Sequence, residues 1–433
     1  MNIQIIGAGL AGCECAYTLA KSGIKVKLYE MKPQKKSLAH KTDNFAELVC
    51  SNSLKASRIG SASGMLKAEM RMFGSIVLDA ADATCVPAGG ALAVDRDKFS
   101  ALITDKIKNH PNIEVVHEEI TDIPTDGITV IATGPLTSDD LSSAISKLCG
   151  DSLLNFYDAA APIISFESID TNKTFFAARY DRGDADYINC PFDKEEYEKF
   201  IDELCEAESV ELHEFEKDYF RVYEGCMPVE VLGKRGRDSL RFGPLKPVGL
   251  TDPKTDRRPY AVVQLRKENS DGTLYNIVGF QTNLKFAEQK RVFSLIPGLE
   301  NAEFARFGVM HRNTFIDSPK VLDYGFRLKQ NPNIFFAGQI TGVEGYVESA
   351  AVGIMVGHNI KRILAGEDVL RLPTDCMMGA LCRYTTDQSV ANFQPMGANM
   401  GILPMLDERI KDKLLRYEKI AKRGLNSLER IIK

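Results

Sequence analysis

The apolar run Ile3-Gln4-Ile5-Ile6 passes straight into Gly7-Ala8-Gly9-Leu10-Ala11-Gly12. Glycines at this G-x-G-x-x-G spacing serve a strand that must turn sharply into a helix. Gly7 permits the turn, Gly9 lets the backbone approach a pyrophosphate, and Gly12 allows close helix–strand packing. Ala8, Leu10 and Ala11 complete the turn, and the helix N-terminus offers its unpaired N–H groups to an anion. The next apolar alternation, Ile24, Val26 and Leu28, ends at Glu30, 18 residues past Gly12, where a carboxylate can accept a ribose hydrogen bond. Strand, glycine turn, helix, strand and acid together predict an α/β, Rossmann-like dinucleotide-binding domain.

At 433 residues the chain has room for two or three domains, and 44% hydrophobic with 26% charged residues suits a globular enzyme. It contains no run of about 18 uncharged apolar residues. Its N-terminus also lacks a basic segment followed by a small-residue cleavage site. Neither a transmembrane helix nor a signal peptide is expected. The ten cysteines include no CxxC pair, which speaks against zinc ribbons and thioredoxin chemistry. No metal is expected, and a cytoplasmic protein with reduced thiols is. Cys13 and Cys15, two apart on the predicted helix, read as packing residues. The net charge of −5 is uneven: residues 234–267 hold ten Lys/Arg against three Asp, so this segment carries +7 and the remainder −12. Such a patch suits contact with a phosphate backbone at one place, or a solvated loop.

The helix after the glycine turn should close near Lys21, with Gly23 just beyond it. Residues 31–56 read as a long loop with a short helix, and residues 64–80 as one helix. Residues 91–120 read as strand, helix and strand, with Asp97 as N-cap. "GITVIATGP" is an apolar strand ending at Gly134. Past residue 150, short β-rich stretches alternate with a helical segment. The expected organisation is residues 1–154 as the first part of the dinucleotide domain, 155–305 as an inserted α+β domain, and 306–433 as the second part. An amphipathic surface helix from Asp407 ends the chain.

Both NAD and FAD use the N-terminal unit. "TVIATGP" and, much later, "IFFAGQITGVEGYVESAAVG" resemble the two-part signature of FAD domains of the flavin disulfide-reductase type. In such domains a late strand and helix return to the cofactor. The resemblance puts Gly338 where that strand passes the cofactor, with Glu344 and Gly345 at the second helix N-terminus. Gln339 stands where those flavoproteins commonly carry Asp. FAD is therefore expected over NAD as the tightly bound cofactor.

"GAGLAGCECAY", "ELVCSNSLKA", "GGALAVDRDKFS", "YEGCMPVEVL", "RFGPLKPVGL" and "GFQTNLKFAEQKRVFSLIPGLENAEFARFGVMHRNTFI" closely resemble TrmFO, the family of folate- and FAD-dependent tRNA uracil-C5-methyltransferases. The resemblance runs from end to end, and the Gly-Gln pair is shared with the larger relative MnmG. It implies methylation of a uridine, uridine-54 of the tRNA T-loop, to 5-methyluridine. Methylenetetrahydrofolate would supply the carbon, FAD would relay it, and NAD(P)H would be the reductant. Uracil C5 becomes nucleophilic once a thiolate adds to C6. The resemblance assigns that attack to Cys226, with Cys50 assisting by removing the C5 proton or forming a reversible adduct. The residues alone favour packing cysteines, and the resemblance reverses that reading. Tyr346 is expected to stack on the folate pterin or to pack. Glu344 and Glu348 either meet flavin or pterin or simply begin a helix. Lys234, Arg235, Arg237 and Arg241 follow Cys226 closely enough to hold RNA phosphates beside an unstacked base.

The same motifs admit the same chemistry on a ribosomal RNA uridine, an NAD(P)H-dependent flavin oxidoreductase without an RNA substrate, or an RNA-binding flavoprotein without turnover. An MnmG-type wobble-uridine enzyme is disfavoured, because those chains are longer and end in a helical partner-binding region.

Overall fold

The structure, a computed structural model, describes residues 2–37, 39–150, 153–181, 184–210, 227–390 and 393–432. The strand Ile3–Ile6 is buried along its whole length within a six-stranded sheet. Val26–Glu30 and then Ile113–His117 lie to one side, Ile128–Ile131 and then Asn331–Phe336 to the other, all parallel. Arg327–Leu328 closes the second edge antiparallel. Strands covered on both faces read as unbroken apolar runs, and "IQII" and "ITVI" do so. The helix Leu10–Lys21 packs on the late helix Tyr346–Leu364, and small residues set how closely. A Cβ on Gly353 would overlap the Ala11 backbone, and one on Gly357 would lie 2.8 Å from the Thr18 side chain.

A second six-stranded sheet is antiparallel throughout. Its order is Phe175–Ala177, Tyr187–Phe192, Ala261–Lys267, Leu274–Ile277, Ile163–Ser165, Phe304–Arg306. The helix Lys194–Glu206 buries Tyr197, Phe200, Ile201 and Leu204 in this region's own core with Phe192, Phe280 and Phe293. That helix opens with a capping box between Asp193 and Glu196. The chain passes between the two regions through a ribbon in which Leu153–Ala159 pairs antiparallel with Met310–Ile316 over seven residues.

Local expectations needed four corrections. Residues 64–80 are not one helix: Gly74, at φ +71°, separates Ala62–Met72 from Ile76–Ala83, and Ser61 and Ser75 each cap a new start. Asp95, not Asp97, caps Arg96–Lys108, its carboxylate accepting from Lys98 N at 3.1 Å. Among the described residues, 31–56 hold no helix but a strand, Ser53–Ala56, paired with Ala91–Val94. The final helix, Lys413–Ile432, begins later than Asp407. Gly23, at φ +79°, does follow the first helix. Among the described residues no helix is long and apolar enough to cross a membrane.

Candidate functional site

The glycine turn is built as its spacing requires. Gly7 sits at φ +98°, where an added Cβ would also press within 2.8 Å of the Ala132 carbonyl oxygen. A Cβ on Gly12 would overlap the Gly7 carbonyl, whereas one on Gly9 would meet nothing closer than 4.0 Å. Gly9 thus leaves open space at the helix N-terminus. Glu30 is buried, and its carboxylate already accepts from Ala8 N at 2.9 Å and Lys32 N at 3.0 Å, bracing the turn. It also lines a small cavity of about 90 Å³ with Gly7 and Gly9. A carboxylate has further lone pairs for a ribose hydroxyl.

A second cavity, about 390 Å³, runs from Gly9, Leu10 and Ala11 past Gly134 to the late strand and helix. Gly338, at φ +84°, lines it so closely against the first helix that a Cβ would fall 2.6 Å from that of Ala11. Gln339 and Glu344 also line it, Gln339 donating to Glu344 at 2.6 Å. Gly345, at φ +122°, opens the late helix towards the same space. Asn313 faces it fully buried, with neither amide atom hydrogen-bonded among the described residues. Two glycine-flanked helix N-termini, an adjoining recess lined by Glu30 and an orphaned amide fit FAD. The pyrophosphate would lie at Gly9, the adenosine towards Glu30 and the ring system towards Asn313 and Gly345.

Cys50 lines the larger cavity beside Tyr346. The Tyr346 hydroxyl oxygen accepts from Cys50 N at 2.8 Å and Ser51 N at 3.2 Å, and lies 2.8 Å from Cys50 Sγ. With both lone pairs engaged, its proton is directed at the sulfur. Burial pushes the phenol well above its ordinary range, with Cys50 adding to the rise, so it stays a donor at neutral pH. Glu348 is buried one turn into the late helix. One of its oxygens holds Lys55 at 2.9 Å and Ala398 N at 3.0 Å, and the other has no partner among the described residues. Cys226 lies outside the described residues. The chain resumes at Met227, and Val229 N bonds to Gln281 O at 2.7 Å. Glu230 takes the Thr282 hydroxyl and Asn283 N, each at 2.8 Å. Gln281 itself lines the cavity that holds Cys50.

The basic segment is less uniform than its composition. Lys234 and Arg235 are exposed. Arg237 is also exposed but pairs with Asp202 at 2.5 Å. Arg241 lies 4.1 Å over the Tyr260 ring and donates to the Tyr260 carbonyl at 2.9 Å. Beside it, Phe242 is 75% exposed. Arg266 departs from the expectation altogether. It is buried, donating to Asn52 at 3.0 Å and Ser51 at 2.9 Å in the loop that carries Cys50. Arg96, Arg306, Glu268 and Asn313 were not singled out by sequence reasoning. Arg96, Arg306 and Asn313 lie within stretches that carry the family resemblance, yet only the fold gathers them with Glu268. Among the described residues no cluster of side chains could hold a metal ion.

The family model of glucose inhibited division protein A matches residues 2–368. The methylenetetrahydrofolate--tRNA-(uracil-5-)-methyltransferase TrmFO of Acetivibrio thermocellus is 59% identical over 430 residues, 99% of this chain and 98% of that one. Its namesake from Brevibacillus brevis is 58% identical over 428 residues, 99% and 97% of the two chains. The solved form II structure of Aquifex aeolicus GidA is similar with TM-score 0.69 at 17% identity. It covers 100% of this chain and 73% of that one, a likeness of fold. A family match over most of the chain, and relatives this similar along nearly all of it, place the protein in the glucose inhibited division protein A family, within its TrmFO group.

Proposed function

We propose that this protein is a methylenetetrahydrofolate- and FAD-dependent methyltransferase that converts uridine-54 of the tRNA T-loop to 5-methyluridine, with NAD(P)H as reductant. The observation that carries the reading is Cys50 Sγ, hydrogen-bonded to Tyr346 on the wall of a cavity whose two glycine turns fit FAD. Bound there, FAD supplies a reducible carrier for folate's one-carbon unit. The chain's own residues do the rest. Gly9 and Gly345 present helix N-termini that bind and orient, and Asn313 offers donor and acceptor to a heterocycle. Cys226 adds to uracil C6 and makes C5 nucleophilic, and Cys50 takes the C5 proton. Tyr346, its hydroxyl engaged with Cys50, fixes the sulfur's position. Residues 155–305 form the RNA-facing domain. Residues 1–154 and 306–433 form the flavin domain, and Lys234, Arg235, Arg237 and Arg241 hold phosphates. The site of action is the cytoplasm.

Purified protein with unmodified tRNA, labelled methylenetetrahydrofolate and NAD(P)H should place label in T-loop 5-methyluridine. Cys226→Ala should abolish the transfer. Label appearing only in ribosomal RNA would reassign the substrate, and full transfer by Cys226→Ala would remove the thiolate step.

A further inference from the structure

Three arginines from three separate elements grip the loop that carries Cys50. Arg96, the first residue of the helix Arg96–Lys108, donates to Leu48 O at 2.7 Å. Arg266, in the strand Ala261–Lys267, holds Ser51 and Asn52. Arg306, ending the strand Phe304–Arg306, donates to Val49 O at 2.6 Å and Ala39 O at 3.3 Å. Glu268 pairs with Arg96 at 2.5 Å and also feels the positive charge of Arg266 and Arg306, one buried carboxylate against three guanidiniums. Among the described residues, Arg96 Nη2 and Arg306 Nε are enclosed without a hydrogen-bond partner. A cation at a helix N-terminus also opposes the helix dipole. Buried positive charge left over in this way is costly unless an anion forms nearby.

The other charged groups around the loop are committed. Glu47 accepts from Lys41 N at 2.8 Å and Thr42 N at 3.3 Å and lies 3.8 Å from Lys32. Asp95 is bonded to Lys98 N, Ser270 N and the Ser270 hydroxyl. Lys55 pairs with Glu348, and Glu344 accepts from Gln339. His40 lines the flavin-type cavity, and Lys41 and Asp97 line the neighbouring one. Cys50 sits between Val49 and Ser51 on the gripped loop, within electrostatic reach of Arg96, and accepts the Tyr346 hydrogen bond.

We propose that the Arg96–Arg266–Arg306 cluster, partly countered by Glu268, is a positioning device that holds Cys50 as a thiolate. The thiol proton leaves to bulk water before substrate binds, and the Tyr346 O–H stays in place as donor. This rests on Cys50 being a reacting thiol. The thiolate is a base ready for a carbon acid, whereas a neutral thiol is not.

The test is a pH titration of the ultraviolet thiolate absorbance of full-length, FAD-bound protein. Each trace is taken as the difference from its own Cys50→Ser counterpart. Arg96→Gln should raise the Cys50 midpoint by about one pH unit and Glu268→Gln should lower it. Structural damage would move both variants the same way. Shifts of one sign, or none in either, overturn the proposal. If Arg96→Gln fails to fold, the half-buried Arg306→Gln takes its place with the same expected sign. A thiolate that titrates as described in a protein that methylates no RNA would leave this inference standing and sink the functional reading alone.

Discussion

The interior of each region and the seam between them are held by different physics. The flavin-type sheet closes around Ile5, Val130 and Phe335, and the antiparallel region around Phe192, Phe200 and Phe280, all essentially without solvent exposure. Where the two regions meet, the contacts are polar. Asn52 donates to Lys267 O at 2.8 Å and Glu268 O at 3.4 Å. The Tyr187 hydroxyl donates to Ala88 O at 3.1 Å, and Gly89 N donates to Asp186 at 2.7 Å. Apolar burial is non-directional and makes each region cohere by itself. Hydrogen bonds and ion pairs add little net free energy but demand one relative orientation. The Cys50 loop lies in that seam, so its geometry depends on the regions being in register.

The comparison breaks first if a core lesion behaves like a seam lesion. Leu265→Ala, in the fully buried core of the antiparallel region, should cost about 3 kcal/mol. Its melting should fall in calorimetry while flavin release, followed by fluorescence, keeps the wild-type temperature. A matched fall in both would mean one cooperative unit. Asn52→Ala removes the two donations across the seam and the acceptor for Arg266 Nε, a loss of about 2 kcal/mol. Two separated unfolding transitions are expected where the parent shows closer coupling, and a single unshifted transition would show that the seam bonds are dispensable.

The last effect, confined to acid pH, tests the flavin-type region alone. Burial, with Lys361 and Lys21 nearby, lowers the His358 pKa from 6.5 to about 4. The unfolded chain therefore takes up this proton first. Stability is complete above the unfolded value, falls as pH drops below 6.5, and stops falling near 4. Allowing for partial exposure, the loss is about 2 kcal/mol. Denaturant titrations of His358→Gln should show a flatter acid limb over that window and no change at pH 8. An acid limb as steep as the parent's would place the titration elsewhere.

The parts that could be read from the sequence are those whose physics is local. Gly7, Gly9 and Gly12 declare a turn because their spacing is its geometry, whereas Gly338 and Gly345 are placed at the second approach only by the resemblance to flavoprotein domains. The apolar strands announced a parallel sheet for a similar reason. Residues 64–80 were misread because an apolar helical period continues across Gly74 and conceals the break. The polar seam had no local signature. Arg266 sat in a basic segment and counted as surface charge until the fold placed it under Ser51 and Asn52. Arg96 and Arg306 are separated from Cys50 by many residues, and nothing in their neighbours marks them as buried. Asn313 lies within a stretch that carried the family resemblance, yet its orphaned amide is visible only once the cavity has walls.

The paired ribbon Leu153–Ala159 and Met310–Ile316 has a topological consequence. Because departing and returning strands run side by side, the antiparallel region hangs on the sheet like a bracketed clause. A cut at Ala159 and Met310 would leave two ends about 5 Å apart, a gap that a tight hairpin turn can close. The parallel strand order would read the same whether that clause were kept, shortened or exchanged for another.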